Sequence, residues 1–361
     1  MKAFYDFLQF CVNEQQPVPE SVSTMDWNRL FSFLQIQSLV GIGFCGCERL
    51  GAVGIRPQRE LLLQWFAINQ QIKEQNKFLN ACAVHIVNEM EQDGFSCCIL
   101  KGQGNALMYP HPYVRMPGDI DVLVIDADRK RLSEYVLGKA SVGGHHYHHI
   151  EFQKDGIQIE IHFLPCSENN PVYHKRLQQW FRQQIAEDGI HWVQLPDGVG
   201  KIPVPTFHFN IVYQLAHIMH HFFDEGIGLR QMMDYYFLMK HRAQREDREH
   251  RRNDEEIQQT LRRLGLRKFA GAVMYVLREV FGLEDRYLIV PVDEWRGKTL
   301  LEEILRGGNF GQHSGLTEHG MATKYFLKIK RNMRFVRQYP AEALCEPLFR
   351  TWHFFWRLRQ Q

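Results

Sequence analysis

Two aspartates, Asp119 and Asp121, are separated by one residue in the segment GDIDVLV. Residues at this spacing in a β-strand project from the same face, so both carboxylates lie together while Ile120 and Val122 face a core. Neighbouring carboxylates repel each other unless a cation lies between them. Oxygen ligands of this kind suit Mg²⁺, which commonly shares its shell with substrate phosphates. We therefore predict a site for Mg²⁺, or Mn²⁺, at Asp119 and Asp121.

A third acid, Glu160, lies in the later segment IQIEIHF, where apolar and polar residues alternate. The alternation predicts a strand with Ile159 and Ile161 buried and Glu160 on the other face. In two-metal transfer, such acids hold one ion that activates the attacking oxygen and another that binds the leaving group. We predict that Glu160 is a third metal ligand or the base toward the acceptor. His162 shares its face and either contacts a carboxylate or phosphate or is an ordinary surface histidine.

The segment LKGQGN combines a lysine with two glycines at a predicted strand-to-helix junction upstream of the acids. Glycine lets backbone N–H groups approach a phosphate, and the N-terminus of a helix favours an anion. The segment therefore predicts a nucleotide-binding loop that consists of Lys101, Gly102, Gln103 and Gly104.

Arg115 and the turn at Pro117 and Gly118 directly precede the aspartates. The arginine supplies a cation suited to phosphate oxygens, and the turn leaves accessible backbone beside the metal pair. Arg115 and Gly118 are therefore predicted to belong to the same nucleotide site.

Histidines are abundant, and His217 and His221 lie one turn apart on a predicted helix. Such a pair can supply two ligands of a tetrahedral metal site, but we favour a partly buried polar stripe, since an isolated histidine pair usually serves packing or hydrogen bonding. The histidines of residues 145–149 alternate between two strand faces, which argues against a four-histidine metal cage. Arg230 and Asp234 are one turn apart on the next predicted helix, at a spacing typical of a local ion pair.

The periodicity of apolar residues divides the chain into three regions and predicts the α+β class. Residues 1–95 form an N-terminal helical region, residues 96–205 a core with a small mixed sheet and hairpins, and residues 206–361 a C-terminal helical domain. The glycines between Gly41 and Gly54 are predicted to interrupt the first helical region. The other predicted elements are a helix from Gln58 to Asp93 that ends at Gly94, strands at Cys97–Leu100 and Asp119–Ile125, hairpins around Lys154–Gly156 and Leu195–Gly198, and helices at Asp128–Leu137, His208–Phe223, Leu229–His241 and Glu255–Phe281.

The overall composition excludes several classes of protein. The 361 residues are 45% hydrophobic and 23% charged, as in folded globular proteins. A net charge of +2 gives no strong nucleic-acid signal. The eight cysteines include no CxxC pair, which indicates reduced thiols, and the sequence shows neither a signal peptide nor a membrane span. We therefore predict a cytoplasmic protein.

Two strongly charged segments lie in the C-terminal half of the chain. The run from His241 to Glu256 mixes both signs and predicts a solvated helix end or a mobile loop. The segment from Lys324 to Gln361 has nine Lys and Arg residues and two acids, interleaved with aromatic residues. We favour a core helix with a basic outer face; a peripheral membrane contact and a contact with a polyanionic acceptor are the alternatives.

The order of these motifs resembles that of the polymerase-β-like nucleotidyltransferases. The segments ILKGQGNALMYPHPYVRMPGDIDVLV and IEIHF carry the resemblance, with a glycine loop, an acid-apolar-acid strand and a later acid between apolar residues. Within this superfamily the chain resembles a family of putative bacterial nucleotidyltransferases often associated with surface-polysaccharide gene clusters. That family shares the LKG, R-x-x-GDIDVLV and acid-x-H features and explains the helical flanks.

The resemblance implies a polymerase-β-like core between about Ser96 and Leu164, flanked by helical regions. It implies transfer of a nucleoside monophosphate from an NTP to an unknown small or glycan-linked acceptor, with Asp119, Asp121 and Glu160 at the metals. A histidine-rich helix followed by a helix with an aspartate recurs in this family. The resemblance therefore places an acceptor side at His217, Arg230 and Asp234. His162, on the same face as Glu160, is a further candidate for that side.

Two other classes of function remain open at this stage. Gly102-Gln103 stands where the superfamily usually has Gly-Ser or Gly-Gly, and this departure supports a non-catalytic nucleotide-binding or regulatory protein on the same scaffold. The pair His217 and His221 supports a histidine-ligated metalloenzyme. Measurements of metal and nucleotide binding distinguish these two classes from an active nucleotidyltransferase.

Overall fold

Helices precede and follow a small sheet in the computed structural model, which describes residues 1–125, 128–139, 142–145, 147–154, 156–187, 189–245, 250–309 and 321–358. The helices before and within the sheet region are α1 (Lys2–Val12), α2 (Trp27–Ile36), α3 (Val40–Ala52), α4 (Arg59–Gln92), α5 (Gly102–Ala106), α6 (Arg129–Lys139) and α7 (Pro171–Ala186). The helices after it are α8 (Phe207–Asp224), α9 (Leu229–Arg245), α10 (His250–Arg263), α11 (Arg267–Phe281), α12 (Glu294–Gly307), α13 (Met321–Met333) and α14 (Pro340–Leu358). Among these described helices, none combines the length and the apolar character that a bilayer crossing requires.

The sheet that carries the predicted acids has five strands in the order β1-β2-β5-β4-β3. Its strands are β1 (Ser96–Leu100), β2 (Ile120–Ile125), β3 (Val142–His145), β4 (His149–Lys154) and β5 (Ile157–His162). Only β2 and β5 pair in parallel, and the other neighbours are antiparallel. The predicted small mixed sheet is therefore confirmed. The predicted second hairpin is also present, as β6 (Ile190–Gln194) and β7 (Lys201–Pro205).

One face of the sheet is apolar and packs against α4 and α6. Ile120, Val122, Ile159 and Ile161 lie in this buried cluster, as their alternation predicts. The polar side chains between them therefore project from the opposite face, toward the C-terminal helices. The long helix α4 ends at Gln92, and Gly94 has a positive φ of 80°, in agreement with the predicted end at Gly94.

A second apolar cluster joins the N-terminal and C-terminal helices. It includes Phe7 and Leu8 of α1 together with Val273 and Leu277 of α11, and α1 packs directly on α11. Because α11 also packs on α8 and α9, the N-terminal helices support the two helices that face the polar side of the sheet.

The prediction that glycines interrupt the first helical region is wrong. Residues Val40–Ala52 form the continuous helix α3. Its glycines permit close packing instead, since a Cβ on Gly43 would lie 2.6 Å from Leu34 and one on Gly46 would lie 2.3 Å from the sulfur of Cys11. Tertiary packing thus outweighs the low intrinsic helix propensity of glycine.

The helix predicted over Glu255–Phe281 is in fact two helices, α10 and α11. They are separated at Gly265, which has a positive φ of 81° and lies against the ring of Tyr173. The apolar periodicity continues across the break, so it does not reveal the break. The charged run His241–Glu256 lies partly outside the described residues.

The C-terminal segment agrees only in part with the core-helix interpretation. Phe335 and Tyr339 are buried, and both rings contact Phe222 of α8. On α14, by contrast, Phe354 and Phe355 are about half exposed.

A buried carboxyl group, Glu168, lies where the loop after β5 meets α14. The side chain is 2% exposed, and no donor among the described residues reaches either oxygen. Burial, together with the nearby Glu342, raises the pKa of Glu168 well above its ordinary value. The folded protein therefore holds a proton that the unfolded chain releases, and stability falls as pH rises above the unfolded pKa of about 4.3.

We expect Glu168→Gln to raise the melting temperature at pH 8 by a few degrees and to change it little at pH 4. Thermal unfolding followed by circular dichroism at several pH values measures the effect. Glu302→Gln, at an exposed position on α12, is the matched control. An equal shift at both pH values would contradict the assignment of a buried, protonated Glu168.

Candidate active site

Asp121 and Glu160 lie side by side on the central strands of the sheet. The parallel register of β2 and β5 pairs these two residues directly. Asp119 immediately precedes β2, and carboxylate oxygens of Asp119, Asp121 and Glu160 all lie within 4.8 Å of one another. Three convergent carboxylates are an oxygen-rich donor set, which fits a hard divalent cation such as Mg²⁺.

Lys101 places a positive charge directly beside this cluster. Its Nζ lies 3.0 Å from Oδ1 of Asp121 and 3.0 Å from Nε2 of His217. Because a lysine ammonium only donates, Nε2 of His217 is the acceptor. Burial and the charge of Lys101 lower the pKa of His217 well below its ordinary value, in agreement with a neutral imidazole. The backbone of Lys101 has a φ of 50°, a conformation that costs energy for a residue with a side chain.

His162 connects two of the acids. Its Nε2 lies 3.0 Å from Oδ1 of Asp121 and 3.3 Å from Oε2 of Glu160. Burial opposes the charged imidazole, but the hydrogen bonds to both carboxylates raise the pKa of His162 to about 9. At neutral pH the imidazole of His162 is therefore in its charged form, and its Nε2 lies between the carboxylates of Asp121 and Glu160.

The three acids have distinct electrostatic environments. Burial, with the charge of Asp121 added, raises the pKa of Asp119 to about 6. Burial alone would raise the pKa of Asp121, but Lys101 and His162 lower it well below its ordinary value. Burial likewise opposes ionisation of Glu160, but the hydrogen bond from His162 lowers its pKa to about 2. Asp121 and Glu160 are thus carboxylates at neutral pH.

The acids open into a cavity of about 450 Å³ between the sheet and helices α8 and α9. Charged and polar side chains dominate its lining. Among the predicted site residues, the lining includes Lys101, Gly102, Arg115, Gly118, Asp119, Asp121, Glu160, His162, His217, Arg230 and Asp234. The cavity therefore brings the predicted acids, a basic loop and the predicted acceptor side together.

Two residues of the predicted nucleotide loop point elsewhere. The side chain of Gln103 is buried against α4, where its amide donates to the side chain of Asn80 and to the carbonyl of Asn76. A Cβ on Gly104 would lie 2.9 Å from Cγ1 of Val204, so this glycine allows β7 to pack closely. Of the four predicted loop residues, Lys101 and Gly102 line the cavity.

Arg115 lines the same cavity, but its guanidinium is bound to Asp234. Nε and one terminal nitrogen donate to the two oxygens of Asp234 at 2.8 and 2.7 Å, and the hydroxyl of Tyr109 donates to the same carboxylate at 2.7 Å. Arg230 donates to the carbonyls of Met116 and Pro117, each at 3.4 Å. Arg115 and Arg230 thus fix the loop that precedes Asp119.

His149 belongs to the histidines of residues 145–149, for which the sequence predicted no metal cage, and it was not among the predicted site residues. Its Nδ1 lies 3.8 Å from Oε2 of Glu160, and its Nε2 lies 3.2 Å from Oε1 of Glu151. The antiparallel register that follows from the turn at Gly156 places His149 opposite His162. Counting residues back from that turn would have revealed this pairing. His146 and the side chain of His145 lie outside the described residues.

The pair His217 and His221 has other partners. His217 accepts from Lys101, and Nδ1 of His221 lies 2.6 Å from Oε1 of Glu225. Within the described part of the chain, the candidate ligand groups with three members include neither histidine. The arrangement favours the polar-stripe interpretation of this pair.

Comparison with known proteins identifies the family of this chain. The family model described as "Uncharacterised nucleotidyltransferase" matches residues 23–282. The chain belongs to this family. No curated protein matches the chain. The crystal structure of an antigenic nucleotidyltransferase-like protein from Paracoccidioides brasiliensis is similar at 11% identity and a TM-score of 0.35, over 60% of this chain and 95% of that one.

Membership of this nucleotidyltransferase family supports a general role in nucleotidyl transfer. The matched segment spans the loop at Lys101, the strands β2 and β5, and the helices α8 and α9. It therefore contains every described residue that lines the acidic cavity.

Proposed function

We propose that the chain transfers a nucleoside monophosphate from an NTP to a small or glycan-linked acceptor in the cytoplasm, on a polymerase-β-like core. The observation that carries this proposal is the convergence of Asp119, Asp121 and Glu160 at one cavity in a member of a nucleotidyltransferase family. Bound Mg²⁺ or Mn²⁺ would neutralise phosphate oxygens and lower the pKa of the attacking group.

In the proposed reaction, an acceptor oxygen attacks the α-phosphorus of the NTP. The new P–O bond forms as the bond to the β-phosphate breaks, and pyrophosphate leaves with the electron pair. The acceptor proton passes to Glu160, directly or through one water. Glu160 is ionised at neutral pH, and His162 holds its orientation. Because its low pKa makes it a weak base, this step relies on a bound metal that would acidify the acceptor hydroxyl.

The cations beside the acids have separate proposed roles. Lys101 and Gly102 contact the triphosphate from the side of β1, where Lys101 already balances the charge of Asp121. Arg230 of α9 and the backbone of Gly118, in the loop before β2, contact the phosphates from the side of that loop. The two groups are adjacent, because a Cβ on Gly118 would lie 3.3 Å from the Arg230 guanidinium. Arg115 positions this loop through Asp234. His217 holds Lys101 and faces the acceptor.

The test measures nucleotide binding and pyrophosphate release together. Purified protein is titrated with each of the four NTPs in the presence of Mg²⁺ or Mn²⁺ by calorimetry, and pyrophosphate release is followed with candidate acceptors. Metal-dependent release from at least one NTP supports the proposal. Binding without release favours a non-catalytic nucleotide-binding protein, for which the packing of Gln103 and Gly104 away from the cavity is the supporting observation. Absence of NTP binding contradicts both.

Glu160→Gln keeps the size of the side chain and removes its charge. We expect pyrophosphate release to slow by about 10²–10⁴-fold with NTP affinity largely retained, which is the range for loss of a general base. A ligand role would weaken metal binding as well. Glu134→Gln, an exposed position on α6, is the control and is expected to have wild-type activity. Wild-type turnover in Glu160→Gln would remove Glu160 from the mechanism.

A further inference from the structure

Two imidazoles and one carboxylate converge beside the three acids. His149 of β4 faces His162 of β5 across the antiparallel ladder. Glu160 lies between them, with Oε2 3.3 Å from Nε2 of His162 and 3.8 Å from Nδ1 of His149. One ligand atom from each of the three residues lies within 4.8 Å of the other two. The histidines are buried, at 8% and 2% exposure, while Glu160 borders the cavity.

These distances suit a shared cation. Histidine nitrogens and carboxylate oxygens bind a transition metal at about 2.0–2.2 Å, so ligand atoms on one metal lie roughly 3.0–3.5 Å apart. The pair His162–Glu160 is already in this range, and the pair His149–Glu160 exceeds it by a few tenths of an ångström. Ligand atoms of the two histidines lie within 4.8 Å of each other, so the imidazoles would move closer together on binding a cation. All three side chains come from paired strands, which fix their relative positions.

Glu151 supplies a second, independent observation. Its Oε1 lies 3.2 Å from Nε2 of His149, the ring nitrogen on the far side from Glu160. In metal sites, a ligating histidine almost always donates its other ring N–H to a carboxylate, a carbonyl or water, which fixes the tautomer and the ring orientation. The pair His149–Glu151 has this arrangement and directs Nδ1 of His149 toward Glu160.

We propose that His149, Glu160 and His162 form a second metal position, selective for a transition-metal cation such as Co²⁺ or Zn²⁺. Imidazole ligands favour these ions over Mg²⁺, whereas the neighbouring position at Asp119, Asp121 and Glu160 has oxygen ligands alone. Glu160 belongs to both positions. Under this proposal Glu160 is a ligand as well as a base, so Glu160→Gln would weaken metal binding in addition to slowing transfer.

The position would leave coordination sites open to the cavity, because the protein supplies three ligands. A phosphate oxygen of the nucleotide or an acceptor hydroxyl is the chemical class that suits these sites. The proposal shares Glu160 with the proposed nucleotidyl transfer, but metal binding here does not depend on transfer activity.

The experiment uses the full chain without an affinity tag, freed of metal by chelator and dialysis. Co²⁺ is titrated in the absence of nucleotide, and its visible absorption reports nitrogen ligation. We expect the wild-type protein to show these bands and His149→Ala to bind Co²⁺ at least 10-fold more weakly at this position. Glu151→Gln is expected to weaken Co²⁺ binding by about 10–100-fold, as for loss of an outer-shell partner.

Two control variants separate this position from its surroundings. His148→Ala removes the adjacent ring, which packs against His149 but is not part of the triad, and is expected to retain the Co²⁺ bands. Asp119→Asn is expected to weaken Mg²⁺-dependent NTP binding and to retain these bands. A wild-type protein that shows the Co²⁺ bands but no transfer activity would thus count against the proposed function alone.

Direct binding data decide the question. A wild-type protein without nitrogen-ligated Co²⁺ would overturn the proposal, as would equal Co²⁺ affinity in wild type and Glu151→Gln. Glu151→Gln keeps the test valid if His149→Ala does not fold, because Glu151 is partly exposed and its replacement preserves shape.

Discussion

Replacement of Asp121 by asparagine is expected to lower metal-dependent pyrophosphate release by about 10²–10⁴-fold, since a bound metal supplies several kcal/mol of transition-state stabilisation. Asp121 is central to the charge arrangement. One of its oxygens lies 3.0 Å from both Lys101 and His162, and the residue pairs with Glu160 in the sheet. The neutral amide leaves the shape of the site unchanged but removes the charge that all of these groups share.

The measurement compares kcat and the NTP dissociation constant with those of Asp285→Asn, an exposed position outside the cavity. We expect the control to match the wild-type protein in both constants. Asp121→Asn is expected to fold, as judged by thermal unfolding, because asparagine fills the same volume. An Asp121→Asn protein that folds and releases pyrophosphate at the wild-type rate would exclude Asp121 from the site.

The acid cluster was predictable from the sequence because its geometry is local. Alternation with a period of two determines which side chains share a face, and it places Asp121 and Glu160 opposite the buried isoleucines. The turn at Gly156 also fixes the register of the hairpin that ends at His162. Short-range patterns thus predicted the strands, their faces and the presence of three acids.

The partners of the cations depend instead on packing between distant segments. Lys101 contacts His217, which is 116 residues away, and Arg115 binds Asp234, which is 119 residues away. No periodicity in the sequence reports how α8 and α9 dock on the sheet. The spacing of Arg230 and Asp234 predicted a local pair, whereas the carboxylate of Asp234 accepts two hydrogen bonds from Arg115.

The glycines also show that the sequence alone does not reveal contacts between distant segments. Gly104 was predicted to bind phosphate, but the structure explains this glycine by the close approach of Val204 of β7. At Gly43 a residue that disfavours helices lies inside α3 because Leu34 leaves no room for a side chain. The residue type indicates that close approach is needed, and the tertiary structure alone shows what approaches.

The ion pair of Arg115 and Asp234 leads to the largest expected effect on stability. The side chains of Arg115 and Asp234 are 5% and 7% exposed, and two hydrogen bonds join the guanidinium to the carboxylate. Removal of one partner leaves a buried charge uncompensated, at a cost of about 3–5 kcal/mol. We therefore expect Arg115→Met to lower the free energy of unfolding by about this amount, as measured by chemical denaturation.

The double variant Arg115→Met with Asp234→Leu tests the cause of that loss. Replacement of a buried pair by apolar residues is often close to neutral, so the double variant is expected to be more stable than Arg115→Met alone. Part of the loss should persist, because the hydroxyl of Tyr109 also donates to Asp234 and would be left without an acceptor. Addition of Tyr109→Phe is expected to recover that part of the free energy of unfolding. The coupling free energy between Arg115 and Asp234 follows from the double-mutant cycle. If Arg115 instead binds the nucleotide, Arg115→Met would weaken NTP binding while the free energy of unfolding stays at the wild-type value, and its role as a structural partner of Asp234 would be wrong.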